Sequence, residues 1–291
     1  MEYVDGSGVL RHARDDADDP LDREAIFAFR GGGGVGIATS LELDLVPVTD
    51  LHAGYLLWPV EHLASVVGAW AATIGSVGDD VVTSISVLHA PPGPPFPEEL
   101  QGRPLVHLAV AAQGASGAQP LLAAVRAAAT PTVDTWGPAD VAKLGQIHLD
   151  PPVATPAIGD ARWLTGAAPD RAADILATAA APDSAVVMLE IRSTGDAVPA
   201  RDGARTSVGG PFLVHGVGAL TDADRRTSID QGLARVREAA RSVDAGSSVG
   251  SWVEGATSVP DALPEEVRAR VAAAADAVDP AGVVWRYRFL T

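Results

Sequence analysis

Apolar and polar positions along the chain follow two periods. Leu41, Leu43 and Leu45 alternate with Ser40, Glu42 and Asp44, which predicts a strand over 39–46 with one apolar side. Apolar runs bounded by turn residues predict further strands over 52–58, 81–88, 104–111, 185–192 and 211–219. The helical period takes over after Pro59, where Val60, Leu63, Val67, Trp70 and Ile74 form one stripe. Residues 119–128 and 170–180 predict helices as well. The clearest is 222–243, with Thr221 as N-cap and Ile229, Leu233, Val236, Ala240 and Val243 on one face. A last helix, 264–278, opens on Pro264 with Glu265 and Glu266 in its first turn, where the helix dipole favours acids. Residues 1–12 predict a hairpin about Asp5-Gly6-Ser7-Gly8, 22–29 a short helix ending at Arg30, and 150–157 a proline-rich loop. Strand neighbours without an intervening helix indicate an α+β fold with a large, mostly antiparallel sheet.

Composition narrows the chemistry. The chain has 291 residues, 47% of them hydrophobic, enough for a substantial core. A net charge of −16 repels phosphate backbones, so no nucleic-acid partner is expected. With no cysteine, disulfides, thiolate metal sites and a cysteine nucleophile are excluded. A Schiff base would have to use Lys143, the single lysine. The N-terminus shows no leader pattern, and no run of about 18 apolar residues occurs. The expectation is a cytoplasmic protein without a membrane partner.

Several motifs fail on context. Gly31-Gly32-Gly33-Gly34-Val35-Gly36 matches G-x-G-x-x-G, but a helical segment precedes it and a strand follows, the reverse of a dinucleotide fingerprint. Gly246-Ser247-Ser248-Val249-Gly250 matches G-x-S-x-G, yet a helix precedes it and no histidine lies beyond His215, so it reads as a loop and not a nucleophile elbow. The seven histidines form no compact ligand pair, and no metal site is expected. His107 and His215 fall in apolar strands, where a histidine is most simply hydrogen-bonded core. His148-Leu149-Asp150 places two polar side chains on one side if the backbone is extended. Glu190 sits inside Val186-Val187-Met188-Leu189-Glu190-Ile191. Such an acid is either paired with an arginine on another strand, the favoured arrangement, or has a raised pKa and faces a pocket.

Several segments together resemble berberine-bridge-enzyme-like FAD-linked oxidases, of the vanillyl-alcohol-oxidase type. Glu24-Ala25-Ile26-Phe27-Ala28-Phe29-Arg30-Gly31-Gly32-Gly33-Gly34 is similar to that family's "DLFWALRGGGGNFG". Val46-Pro47-Val48, Leu57-Trp58-Pro59, Gly102-Arg103-Pro104, the stretch Gly145 to Pro151, Met188 to Arg192 and Asp279 to Val284 follow in the family's order. The glycine segment is one residue shorter here, Trp252-Val253-Glu254-Gly255 stands where the family has Tyr-x-Asn-Phe/Tyr, and Asp196 is out of register with the plant-type catalytic Glu. The resemblance implies a large antiparallel sheet with helices on one face. It implies a flavin-domain remnant over 1–48 and a substrate-binding domain over 49–291, whose segment 264–291 packs back toward the remnant. Arg30, Gly31, Gly32, Gly33, Gly34 and Gly36 become the cofactor-binding candidates. Trp58, His148, Asp150, Glu190, His215 and Trp252 become substrate-pocket candidates, and His148, Glu190 and Glu254 candidates for catalysis. The expected function is FAD-linked oxidation of a small organic molecule as one half of a split flavoenzyme. FAD then depends on a separate flavin-domain chain, and a homo-oligomer is the other expected assembly. The alternatives are a flavin-free small-molecule-binding protein or non-redox cyclase on that scaffold, and an inactive or structural subunit.

Overall fold

The computed structural model describes the chain except Val46, Pro152, 195–201, 222–223, 256–258 and 285–291. By packing it divides into two units, one of residues 1–47, 197–208 and 256–291, the other of 48–196 and 209–255.

In the first unit, β1 (Glu2–Val4) pairs antiparallel with β2 (Leu10–His12) and with β3 (Ile37–Ser40). Helix α1 (Pro20–Phe29) starts at Asp19, whose carboxylate accepts from Leu21 N at 2.8 Å, and packs on α7 (Glu265–Val278). The expected strand 39–46 is only partly formed: β3 ends at Ser40, and Leu41, Leu43 and Leu45 are 58%, 73% and 92% exposed. Its partner β1 is three residues long and the register between them stops at Ser40, so the alternation of leucines continues past the backbone that could pair with it.

The second unit is built on a nine-stranded sheet. Its strands are β4 (Leu51–Pro59), β5 (Val81–His89), β6 (Pro104–Gln113), β7 (Val133–Asp134), β8 (Gly137–Pro138), β9 (Ala157–Leu164), β10 (Met188–Ser193), β11 (Phe212–Ala219) and β12 (Asp244–Ser248). The order is β12-β9-β11-β10-β5-β6-β4-β7, with β8 also on β4, and every pairing is antiparallel. Helices α2 (Leu63–Ile74), α3 (Ala115–Ala128), α5 (Ala168–Ala177) and α6 (Arg225–Ala240) share one core with one face of the sheet, the arrangement expected from the sequence. A fifth helix, α4 (Val141–Leu144), is a single turn. Strand side chains alternate between faces. Ile85 and Val87 meet the helices, as do Val106, Leu108, Leu189 and Ile191.

Two local expectations are corrected, and one strand was not foreseen. Helix α6 starts after Asp224 instead of Thr221. The first three residues of the G-x-S-x-G segment end the edge strand β12, which is bulged at Gly246 (φ 87°) and tied to β9 by Arg162, which donates to Asp244 at 2.9 Å and to Ser248 Oγ at 3.0 Å; Gly250 opens the turn that follows. Strand β9 had no apolar run to announce it. Its Asp160 and Arg162 interrupt the pattern and are neutralised by Arg237 and Asp244.

Candidate functional site

The opposite face of the same sheet carries polar groups at its centre. The pairing registers line up Leu57, His107, Ser86, Glu190, His215 and Ala161 across six strands. The adjacent rung holds Tyr55, Ala109, Ser84, Arg192, Leu213 and Trp163. Because positions two apart share a face, Ser84, Ser86, His107, Glu190, Arg192 and His215 all project from the side the four helices leave uncovered. Small apolar clusters flank them: Leu57, Phe96, Leu100 and Leu105 on one side, and Ala53, Ala109 and Ile147 on another.

Glu190 is the hub and is 4% exposed. Its carboxylate accepts from Ser84 Oγ and from Arg192 Nη2 (3.1 Å to Oε1, 3.3 Å to Oε2), and Oε1 lies 3.7 Å from His215 Nδ1. The expected ion pair is therefore present, but its arginine comes from the same strand two residues on, and the cross-strand cation is a histidine. Burial by itself would raise the Glu190 pKa. The His215 imidazole, the Arg192 charge and the Ser84 hydroxyl outweigh it and hold the carboxyl down at about 2. Burial likewise pushes the His215 imidazole down, and the carboxylates of Glu190 and Glu254 reverse it to a net rise.

The turn after β12 delivers the rest. Val249 N donates to Ala161 O at 2.9 Å and Trp252 N to Val249 O at 2.8 Å, while Gly255 O accepts from Arg226 at 3.2 Å. So held, the turn lays the Trp252 indole 4.9 Å from the His215 ring and 4.8 Å from the Arg192 guanidinium. It also places Glu254 Oε2 3.9 Å from His215 Nε2. His215 is thus bracketed by two carboxylates and flanked by an indole, an environment built to keep it an imidazolium.

His107 is different in kind. Its Nε2 donates to Ile147 O at 2.8 Å and its Nδ1 accepts from the Ser86 hydroxyl at 3.0 Å, which fixes the neutral tautomer. Burial pushes its pKa to about 4. It is the hydrogen-bonded core histidine that the sequence suggested. His148 is also pushed down, by burial first and then by the Arg192 charge, so it stays neutral near the cluster.

Of the residues singled out from the sequence, Glu190, His215, Trp252 and Glu254 meet directly, and His148 lies within range of their charges. Asp150 is exposed, and Leu149 has φ 58°, so the segment is not extended and the same-side spacing of His148 and Asp150 does not hold. Trp58 is corrected outright: it is fully buried on the helix-covered face, donating Nε1–H to Ala129 O at 2.8 Å. Asp196 lies outside the described residues. Ser84, Ser86 and Arg192 were missed. Their signal was the period of two around Glu190, but the identity of the neighbouring strands was needed to use it.

The cofactor candidates lie in the first unit. Arg30 makes a two-toothed pair with Asp15 (2.5 and 2.8 Å) and donates to Asp202 O at 3.0 Å. Gly31 (φ 95°) needs a left-handed backbone, and a Cβ there would lie 2.5 Å from the Arg205 Cβ. A Cβ on Gly32 would meet Ala28 O at 2.7 Å, and one on Gly36 (φ 117°) would meet Val4 O at 2.7 Å. Gly33 and Gly34 complete the bend with φ of 72° and 76°. The close approaches that Gly31, Gly32 and Gly36 permit are therefore to their own chain. The neighbouring guanidiniums are committed as well, Arg270 to Glu24 (2.8 and 2.9 Å) and Arg23 to the carbonyls of Ala17 and Asp18. FAD does not fit Arg30, Gly31, Gly32 and Gly36 as a pyrophosphate cradle, since that cation and those backbone approaches are already taken.

The fold is similar to part of several solved oxidases and dehydrogenases. A BBE-like protein of Physcomitrella patens matches over 100% of this chain with TM-score 0.71 and 13% identity. The 6-hydroxy-D-nicotine oxidase of Arthrobacter nicotinovorans matches over 99% with TM-score 0.71 and 19% identity, and the grass pollen allergen Phl p 4, with glucose dehydrogenase activity, over 100% with TM-score 0.67 and 14% identity. The chain spans 64% of the length of each. No protein-family model and no curated protein sequence matches it. Among the described residues no helix is long and apolar enough to cross a membrane.

Proposed function

We propose that this chain is the substrate-holding part of an FAD-linked oxidoreductase acting on a small organic molecule. The flavin is brought by polypeptide outside residues 1–291, as one half of a split enzyme. The observation that carries the reading is the Glu190–Arg192–His215 cluster on the sheet face opposite the four long helices, in a fold shared with oxidases and dehydrogenases. Charges set at the centre of a sheet are costly unless they serve a ligand or one another. In this reading the unit of 1–47, 197–208 and 256–291 derives from the flavin-domain side, and the sheet unit is the substrate domain.

The protonation states assign the work. Glu190, ionised and saturated with donors, is a positioning residue that orients Arg192 and keeps His215 charged. His215 is the proton-bearing group, suited to donate to a substrate oxygen or nitrogen. His148, held neutral, is the candidate base. Trp252 supplies a flat apolar wall.

The second reading, a flavin-free binding protein or cyclase on the same scaffold, is favoured by the glycine bend closing on its own chain. One experiment separates the two. The tagged chain is purified from its native cells, and the eluate is examined for flavin absorbance and for a second polypeptide. Flavin that arrives with a partner supports the split enzyme. A colourless chain that binds small molecules, losing affinity in Glu190→Ala or His148→Ala with the fold intact, supports the second reading. Uptake of FAD by the chain alone overturns the division of labour.

A further inference from the structure

Gly159 sits in mid-strand β9, two residues before Ala161, the cross-strand neighbour of His215. Its backbone is not left-handed, unlike that of Gly31 or Gly36, so conformation does not demand glycine there. Space does. A Cβ on Gly159 would lie 2.0 Å from Glu254 Oε2, 3.1 Å from its carboxyl carbon and 3.2 Å from His215 Nε2. No real contact survives at 2.0 Å, and the backbone at Gly159 is held in register against Val217 of β11, while the pairing of β9 with β12 is confined to Arg162 and Leu164. The group that must yield is the Glu254 carboxylate, the far end of a flexible side chain that is 40% exposed and can rotate into solvent, away from His215.

We propose that Gly159 is a positioning residue, its missing side chain being what admits the Glu254 carboxylate to His215. The charged groups about that histidine are Glu190 and Arg192 on β10 and Glu254 on the turn. Gly159 controls only the last of them. This deepens the function proposed above by naming how the cluster is held, and rests on it only for the link to catalysis.

The test is an NMR titration of the His215 ring in the full chain. In Glu254→Gln the His215 pKa falls by about one pH unit, the usual effect of losing an opposite charge at this range. Gly159→Ala gives a fall of similar size, and the double variant falls no further than either. An unchanged His215 pKa in either single variant overturns the proposal. Stability supplies the second arm: Gly159→Ala lowers the melting temperature in the wild type but not in a Glu254→Ala background, where the obstructing carboxylate is gone. Equal losses in both backgrounds would make the glycine merely structural and overturn the assignment. If Gly159→Ala does not fold by itself, folding of Gly159→Ala/Glu254→Ala supports it, and failure of that pair to fold refutes it. None of these readouts needs flavin or substrate, so the oxidoreductase reading stands or falls separately.

Discussion

Replacing Glu190 by Gln removes one charge and almost no volume. The side chain is 4% exposed and serves Ser84, Arg192 and His215 together. Breaking a buried pair by deleting one partner costs about 3–5 kcal/mol. Arg192 keeps about a quarter of its side chain in solvent, so the lower end, about 3 kcal/mol, is expected here. The loss depends on pH in a definite way. Glu190 has a depressed folded pKa, so its contribution is present above the unfolded value of about 4.3 and is lost as pH falls toward the folded one. His215 has a raised folded pKa, so its contribution is full below about 6.5 and is lost as pH rises through the folded value. The two windows overlap between about pH 4.5 and 6.5. Urea unfolding of wild type and Glu190→Gln across pH 3–9 should therefore show a stability difference that peaks in that window and shrinks on both sides. The neutral burial of His107 costs both proteins alike above about pH 4, where the ring is uncharged in each, and so cancels within that window. A difference independent of pH would mean that Glu190 and His215 are not charge-coupled, and the site as described would fail.

Three further outcomes test other parts of the structure. His107→Ala strands the Ile147 carbonyl and the Ser86 hydroxyl and opens a cavity, so chemical denaturation should show a loss of about 2–4 kcal/mol with the His215 titration unmoved. Gly31→Ala forces a left-handed backbone on alanine and drives its Cβ into Arg205, so thermal unfolding should reveal a loss of about 1–3 kcal/mol confined to the first unit. Leu43→Glu and Leu45→Glu, by contrast, should change stability by less than about 0.5 kcal/mol, because both leucines are exposed; a large loss would show that the expected strand does bury them.

The amino-acid pattern alone determined the elements whose burial follows a single period or an apolar run. Val60 to Ile74 and the face from Ile229 to Val243 each bury one stripe, and the stretches around Val87 and Val106 are apolar runs buried on both faces, signals visible wherever the chain is cut. The same logic exposed Glu190 as a charge that must have a partner. Which partner it has is decided by pairing between strands far apart in sequence: His215 and Ser86 become neighbours of Glu190 only because β11 and β5 flank β10. Strand β9 was hidden because Asp160 and Arg162 are neutralised by Arg237 and Asp244, residues some 80 positions away. Trp58, by contrast, alternates with Leu57 toward the helices, and only the packing of α3 and its following carbonyl at Ala129 tells which side of β4 is covered. Gly159 gave no signal at all, because an empty volume belongs to no residue until the turn bearing Glu254 folds over it. Period is a local property of a chain, whereas charge partners and unfilled space exist only between segments, which is why the first could be read and the second had to be seen.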